Sequence, residues 1–425
     1  MNYQADYTYV ISEKTKLFTV YLLPYSNGTF PSVVIRSPYV DSFETWNEND
    51  IVINYLNEYR EWLKNGYAVI IQHCRGRGKS EGDCIPYINE RNDSISLLEW
   101  VRKQPFYNGE IFLKGGSYTA SLWYVTAPFS KDIKGAIFGV QDSERYNICY
   151  RNGFMKKGLH GNWYVNMYKA KSHIKKNYTA AAFDMLPLKN FTKTVFGECS
   201  KDFDDMLKAP NPSDPFWQTH NGGTDARRTT DNIKFPALFT TAFNDIYTGG
   251  IFDMWNQMSE ESRKQCAMVV SPYNHGDNID DYDSTIEFPS GRRIEQFGKN
   301  YEIEWLNYIR EQDCKSPFEQ GKITYYRLFD NKWATDEFYN ATNAVEIKLG
   351  NEMISYVYNP FDAPKFKGGL SRTFGGSVFQ DKPNSRYDII SVYTKPFEKE
   401  VFVKGRMSAR LRVKSDCEDT CFICV

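Results

Sequence analysis

Strand-like and helix-like segments alternate along much of this chain, and that alternation limits the fold more than any other feature. YTYVIS, LFTVYLLP and SVVIRSPY open the sequence as three strand-type runs. Residues 51–64 then place Ile51, Tyr55, Tyr59, Trp62 and Leu63 at helical spacing, and Gly66 follows as a stop. YAVIIQ at 67–72 is a continuous apolar run, as expected of a strand covered on both faces. Asp93 fits the N-cap of a helix carrying Leu97, Leu98 and Val101. Asn108-Gly109 marks a turn, IFLK at 111–114 a strand, the stretch from Tyr118 a helix, and KGAIFGV at 134–140 the next strand. Such spacing predicts a mostly parallel α/β sheet.

The rhythm breaks at about 143. From there to 230 the chain is polar, aromatic and Lys-rich, with short helical pieces and the Pro-rich stretch APNPSDPFW. This reads as an inserted helical cap. The α/β pattern resumes with FPALFTTAFND at 235–245, a helix near 249–258, CAMVVSPY at 266–273 and a helix near 297–311. After Pro317, ITYYRLF, AVEIKL and ISYVYNP recur as short strands between Gly, Asn, Asp and Pro turns. That pattern predicts a β-sandwich. The expected organisation is a core over 1–142 and 231–316, a cap over 143–230 and a β-domain over 317–425.

Composition removes several function classes. With 52 Lys plus Arg against 53 Asp plus Glu, the formal charge is −1. That argues against bulk binding to nucleic acid or an anionic membrane. The aromatic share is 16%, far too rich for a disordered chain. No apolar stretch is long enough for a membrane span, and the N-terminus lacks the basic and apolar regions of a secretory signal. Nine cysteines, an odd count without a signal, read as reduced thiols in a cytoplasm. Cys417, Cys421 and Cys424 cluster, but three ligands without a fourth are a weak zinc signal, and small residues of a strand are the simpler reading. No metal and no organic cofactor is expected.

KGGSYTA at 114–120 runs from a strand through Gly115-Gly116 and Ser117 into a helix. A Ser on such a turn has its hydroxyl lifted above the sheet edge, with a helix N-terminus behind it to support developing negative charge. An ordinary turn is the plain alternative. A Ser nucleophile needs a base, and the base an orienting carboxylate. The chain has five histidines, of which His160, His173 and His220 fall in the cap and His73 precedes the turn. His275 follows the strand CAMVVSPY, and Asp245 follows PALFTTAFN. Ser117, Asp245, His275 is therefore the order Ser, acid, His at successive strand ends. As alternatives, Asp245 could cap a helix and His275 could be a loop histidine.

Several stretches together resemble the CocE/NonD serine hydrolases, which include cocaine esterase, α-amino acid ester hydrolases and Xaa-Pro dipeptidyl-peptidases of the S15 type. SPY at 37–39 is similar to the family's early (T/N)PY, and CRGRGKSEG at 74–82 to its RGxGxSxG loop. GGSYTA resembles its GxSYxG elbow, AFNDIYTGG at 242–250 its acid loop, and SPYNHG at 271–276 its histidine loop. YVYNPFDAPKFKGG at 356–369 resembles the entry to its C-terminal jelly roll. The resemblance implies an α/β-hydrolase core with an inserted cap and a jelly roll. It implies Ser117 as nucleophile, His275 as general base and Asp245 as its orienter. It implies an oxyanion hole made of the Tyr118 backbone N–H and the Tyr39 phenol, aimed by the stiff Pro38. One such donor is typically worth ~10²–10³ in kcat.

The departures carry their own expectations. Thr119 and Ala120 replace small residues, so the elbow is expected to be slightly opened, and His73 stands where the family often has Asp. Arg75 and Arg77 are expected to pair with carboxylates and tie their loop down. The final CEDTCFICV reads as the middle of a jelly-roll strand, so the β-domain is expected to be incomplete. The function implied is hydrolysis of a small ester, amide or short peptide, with esterase and dipeptidyl-peptidase both open. The peptidase needs carboxylates to grip an α-ammonium, for which Glu144, Asp184, Asp204 and Asp205 are cap candidates. A silent, ligand-binding homologue is the competing class. No nucleic acid or membrane partner is expected, and a homo-oligomer is compatible with the sequence.

Overall fold

The computed structural model describes residues 3–25, 27–171, 188–219, 233–275, 294–310 and 314–336, with shorter stretches between 346 and 422. The first three strands are β1 (Gln4–Ser12), β2 (Thr15–Leu23) and β3 (Phe30–Ser37). Helices α1 (Glu48–Glu58) and α2 (Arg60–Lys64) follow, then β4 (Ala68–His73), α3 (Glu90–Arg102) and β5 (Tyr107–Gly116). Next come α4 (Tyr118–Tyr124) and β6 (Ile133–Gly139). After the insertion, β9 (Ala237–Ala242) leads to α10 (Thr248–Gln257) and α11 (Glu260–Lys264). β10 (Ala267–Ser271), α12 (Tyr301–Ile309), β11 (Ile323–Arg327) and β12 (Lys332–Asp336) complete the sheet.

Those strands form one ten-stranded sheet in the order β1-β2-β4-β3-β5-β6-β9-β10-β11-β12. Pairing is parallel from β4 through β11 and antiparallel at both margins. β4 and β10 are buried along their whole length, which is why they read as unbroken apolar runs. The main core lies where β3, β4 and β10 meet α1, α2 and α12, around Val69, Ile71, Trp62, Trp305 and Leu306. This is the expected α/β-hydrolase core.

Three local expectations are corrected. Asp93 is not an N-cap: Asn89 caps α3 in a left-handed conformation at φ +67°, and Asp93 sits a turn inside, where arginines claim its carboxylate. Asn108-Gly109 is not a turn between elements but the start of β5, where Gly109 at φ +97° lets the register with β3 shift. ITYYRLF does not open a separate β-domain, because β11 pairs parallel with β10 in the main sheet. A period of two reveals a strand but not the sheet it joins.

The insertion holds α5 (Arg145–Cys149), a two-stranded hairpin of β7 (Tyr150–Arg151) and β8 (Phe154–Met155), and α6 (Asn162–Met167). It continues with α7 (Phe191–Phe196), α8 (Lys201–Leu207) and α9 (Pro215–Thr219). Its aromatic residues do not form a separate core. Tyr146, Tyr164, Phe203 and Trp217 share one cluster with Cys74, Tyr87, Tyr118 and Tyr247 of the sheet-bearing part.

By its contacts the chain divides into one unit of 1–337 and 366–380 and another of 338–365 and 381–425. In the second unit, Arg386 bridges Asp362 and Asp388. Among the described residues beyond 337 there is no strand, and the ladder-type pairing is a single bridge between Gly369 and Gly376. Half of AVEIKL, at 344, 345 and 349, lies outside the described residues. ISYVYNP is described but exposed, with Val357 at 77%.

Candidate active site

Ser117 stands between the end of β5 and the start of α4 at φ +54°, ψ −134°, a conformation that costs a non-glycine residue about 1–3 kcal/mol. The surroundings impose it. Its N–H donates to the Gly139 carbonyl at 2.8 Å, and its carbonyl accepts from Ala120 N at 2.9 Å. Gly115 is required because a Cβ there would collide with the Thr119 backbone. Thr119 and Ala120 do not open the turn as expected. The Thr119 hydroxyl accepts from Gly116 N at 2.6 Å and donates to the Gly116 carbonyl at 2.7 Å, so it fastens the turn.

The loops after β9 and β10 bring Asp245 and His275 to the same point. His275 Nδ1 lies 2.6 Å from Asp245 Oδ2, and its Nε2 lies 3.0 Å from Ser117 Oγ. A carboxylate only accepts, so Nδ1 carries the proton and Nε2 accepts from the serine hydroxyl. Asp245 is fully buried, and its second oxygen accepts from Tyr247 N at 2.7 Å. The Tyr247 ring stands edge-on to His275 at 5.6 Å.

The two other expected site residues are Tyr118 and Tyr39. Tyr118 is the first residue of α4, a position whose N–H finds no acceptor within a helix. Its side chain points into the interior: the hydroxyl donates to Glu90 Oε1 and accepts from Tyr87 N, both at 2.8 Å. Tyr39 is partly exposed at 45%. Its loop is pinned by Arg77, which donates from Nε to the Pro38 carbonyl at 2.7 Å and pairs with Asp41. The Tyr39 hydroxyl accepts from Trp163 Nε1 of α6 at 3.3 Å.

Two features beneath the site escaped sequence reasoning. Arg36, fully buried, donates to Gln72, to Ser94 and to both the carbonyl and carboxylate of Glu90. Burial pushes the Glu90 carboxyl up, and Arg36 opposes the shift. Arg75 holds Asp93 at 2.6 Å. The loop arginines thus pair with carboxylates, as expected. Asp142 is buried against Gly250, whose Cβ it would exclude, and desolvation pushes it up to about 7. Nearby Lys156 donates to the Asn147 carbonyl and lies 5.3 Å from the centre of the Tyr247 ring.

The other described histidines are ordinary packing. His73 accepts from Lys79 N and contacts Tyr55 Oη, and burial pushes it down to about 3. His160 is likewise lowered to about 3 by burial beside Cys149. His173, His220 and Asp184 lie outside the described residues. The described cap acids do not converge: Asp204 accepts from Thr192, Asp205 meets Lys201 and Lys208, and Glu144 accepts from Asn147. Among the described residues no metal-ligating cluster exists, and no helix is long and apolar enough to cross a membrane. Cys417 is exposed, while Cys421 and Cys424 are not described.

The X-Pro dipeptidyl-peptidase (S15) family model matches residues 13–277, which contain the elbow, the acid loop and the histidine loop. The chain belongs to the S15 family. It is similar to cocaine esterase from Rhodococcus, at 33% identity over 94% of this chain and 75% of that protein. Among solved structures, an α-amino acid ester hydrolase has the same fold at a TM-score of 0.60 and 17% identity, covering 80% of this chain and 59% of its own. An aminopeptidase from a marine Thaumarchaeota archaeon follows at 0.58 and 17%, covering 79% of this chain and 58% of its own. A CocE/NonD family hydrolase from Staphylococcus aureus gives 0.51 and 16%, covering 79% and 59%. The chain therefore spans under three fifths of each of these three structures. Within the S15 family it is a hydrolase of the CocE/NonD kind.

Proposed function

We propose that this chain is a serine hydrolase that cleaves a small carboxylic ester through an acyl-enzyme. The observation that carries the reading is the continuous line Asp245–His275–Ser117, with the serine on a strained strand-to-helix turn. Ser117 Oγ attacks the carbonyl carbon while His275 Nε2 takes its proton. The tetrahedral oxyanion is met by the Tyr118 N–H and the Tyr39 hydroxyl. Collapse breaks the carbonyl–alkoxy bond, and the alcohol leaves with the proton from His275. Water then attacks the acyl carbon, His275 takes its proton, and the acid departs as that proton returns to Ser117. Asp245 holds the imidazole in the required tautomer throughout.

Relatedness to cocaine esterase favours ester over dipeptide. A dipeptidyl-peptidase needs carboxylates converging on an α-ammonium; of the candidates, Glu144, Asp204 and Asp205 each pair within the cap, and Asp184 lies outside the described residues. We assign the core to 1–142 and 231–336, moving its end from 316 to include β11 and β12, the cap to 143–230, and any β-domain to later residues. The free thiols of the described cysteines accord with a cytoplasmic location.

The test is Ser117→Ala. Hydrolysis of p-nitrophenyl butyrate is expected to fall at least ~10³-fold, with folding intact. Unchanged hydrolysis would refute the assignment. A fluorophosphonate probe that fails to label the native chain would favour the silent homologue, and faster cleavage of Ala-Pro-p-nitroanilide than of the ester would favour the peptidase.

A further inference from the structure

Tyr39 is held at two places. Arg77 fixes its backbone through the Pro38 carbonyl. Trp163 reaches its hydroxyl from the cap. We propose that Trp163 is a positioning residue for the oxyanion hole: it sets the direction of the Tyr39 hydroxyl proton. The inference rests on the reading of Tyr39 as an oxyanion donor.

An indole N–H can donate but never accept. In the 3.3 Å contact the phenol oxygen is therefore the acceptor, and its own proton is turned away from Trp163. A phenol can otherwise rotate that proton about the C–O bond. Occupying one lone pair restricts the rotation before substrate arrives, and accepting one hydrogen bond makes the hydroxyl a stronger donor. Both effects matter most when negative charge develops on the substrate oxygen.

Trp163 is itself firmly placed. Its ring packs on Tyr118 at 4.9 Å, on Tyr87 at 5.8 Å and on His160 at 5.8 Å. The same indole thus touches the residues of both expected oxyanion donors. Its helix α6 is tied to the Tyr39 loop a second time, because Arg77 Nη1 reaches the Asn166 carbonyl at 3.5 Å. The cap is in this way part of the proposed catalytic geometry.

A double-mutant cycle on p-nitrophenyl butyrate tests this. Trp163→Phe keeps a ring but removes the donor. It is expected to lower kcat about 3–10-fold with KM within twofold, the size of one lost hydrogen bond. In a Tyr39→Phe background the same change is expected to alter kcat by less than twofold. The same loss in both backgrounds, or no loss in the native one, would overturn the proposal, since a packing residue acts regardless of Tyr39. A rise in KM with kcat unchanged would also overturn it. If Trp163→Phe does not fold, β-(3-benzothienyl)alanine at 163 keeps the indole shape without the N–H, and the same outcomes decide. Tyr39→Phe that leaves kcat unchanged would remove Tyr39 from the oxyanion hole, and this proposal with it. Activity that survives Ser117→Ala would instead refute the hydrolase reading itself.

Discussion

Tyr118 offers a separation of backbone from side chain. Its N–H is assigned to catalysis, while its hydroxyl belongs to the buried charges beneath the elbow. Tyr118→Phe removes only the hydroxyl. Two partners lose it: the Tyr87 N–H becomes a buried donor without that acceptor, and Glu90 loses a charge-assisted bond. Each loss is worth about 1–3 kcal/mol at such burial, so together roughly 2–6 kcal/mol. With a urea m-value of about 3 kcal/mol/M, the upper end for small proteins, the unfolding midpoint falls by about 0.7–2 M. The deficit has a pH signature. Burial already raises the Glu90 carboxyl, and the tyrosine bond is one of the groups that lower it. Without that bond the folded-state value rises further. A raised carboxyl stabilises when protonated and loses that contribution as pH climbs through its folded value, so the deficit is larger at pH 8 than at pH 5. Urea unfolding followed by tryptophan fluorescence reads the stability, and p-nitrophenyl butyrate reads kcat, expected within about threefold of native. A tenfold loss of kcat at unchanged stability would refute the division of labour.

Asp245→Asn keeps the shape of the orienting group but can hold His275 in the wrong tautomer. kcat is expected to fall by ~10³–10⁴, measured by steady-state ester hydrolysis at constant fold by circular dichroism. Asp142→Asn probes the buried carboxyl that is pushed up to about 7. Its folded value lies above the ordinary one, so native stability is present below about pH 4 and is lost as pH rises through about 7. The neighbouring charges Lys156, Glu144 and Asp253 act on the same carboxyl. Relative to native, the variant is expected to gain stability steadily from pH 4 to 8, checked by thermal melts across that range.

What the sequence exposed and what it hid divide along a physical line. The elbow was legible because a strand, two glycines and a helix start are all local signals. Ser117, Asp245 and His275 were legible because each follows a strand, and parallel strands deliver their ends to one edge of the sheet. Tyr39 was reached only through family resemblance, since one tyrosine among 30 carries no mark of its own. The partnership of Arg36 with Glu90 was hidden because those residues are 54 apart, and no periodicity links them. Asp93 misled because a helix-start residue and a buried ion-pair residue share one letter. β11 misled because alternation reveals a strand but not its partners. Thr119 looked like crowding because its hydroxyl bonds are visible only when the turn is built.

The cluster that joins cap aromatics to Cys74, Tyr87, Tyr118 and Tyr247 has a consequence for how such an enzyme can diversify. A detachable lid can be altered freely, since its residues bear little on the rest of the molecule. Here the cap aromatics share their interior packing with Tyr118, the residue that follows Ser117. Truncating one large aromatic to widen the site leaves a cavity, at about 3–5 kcal/mol for a Phe or Trp reduced to Ala. That is a large share of the 5–15 kcal/mol by which a folded domain usually exceeds its unfolded chain. New substrate preferences in this lineage should therefore arise by exchange of one bulky ring for another, or arrive together with stabilising changes elsewhere.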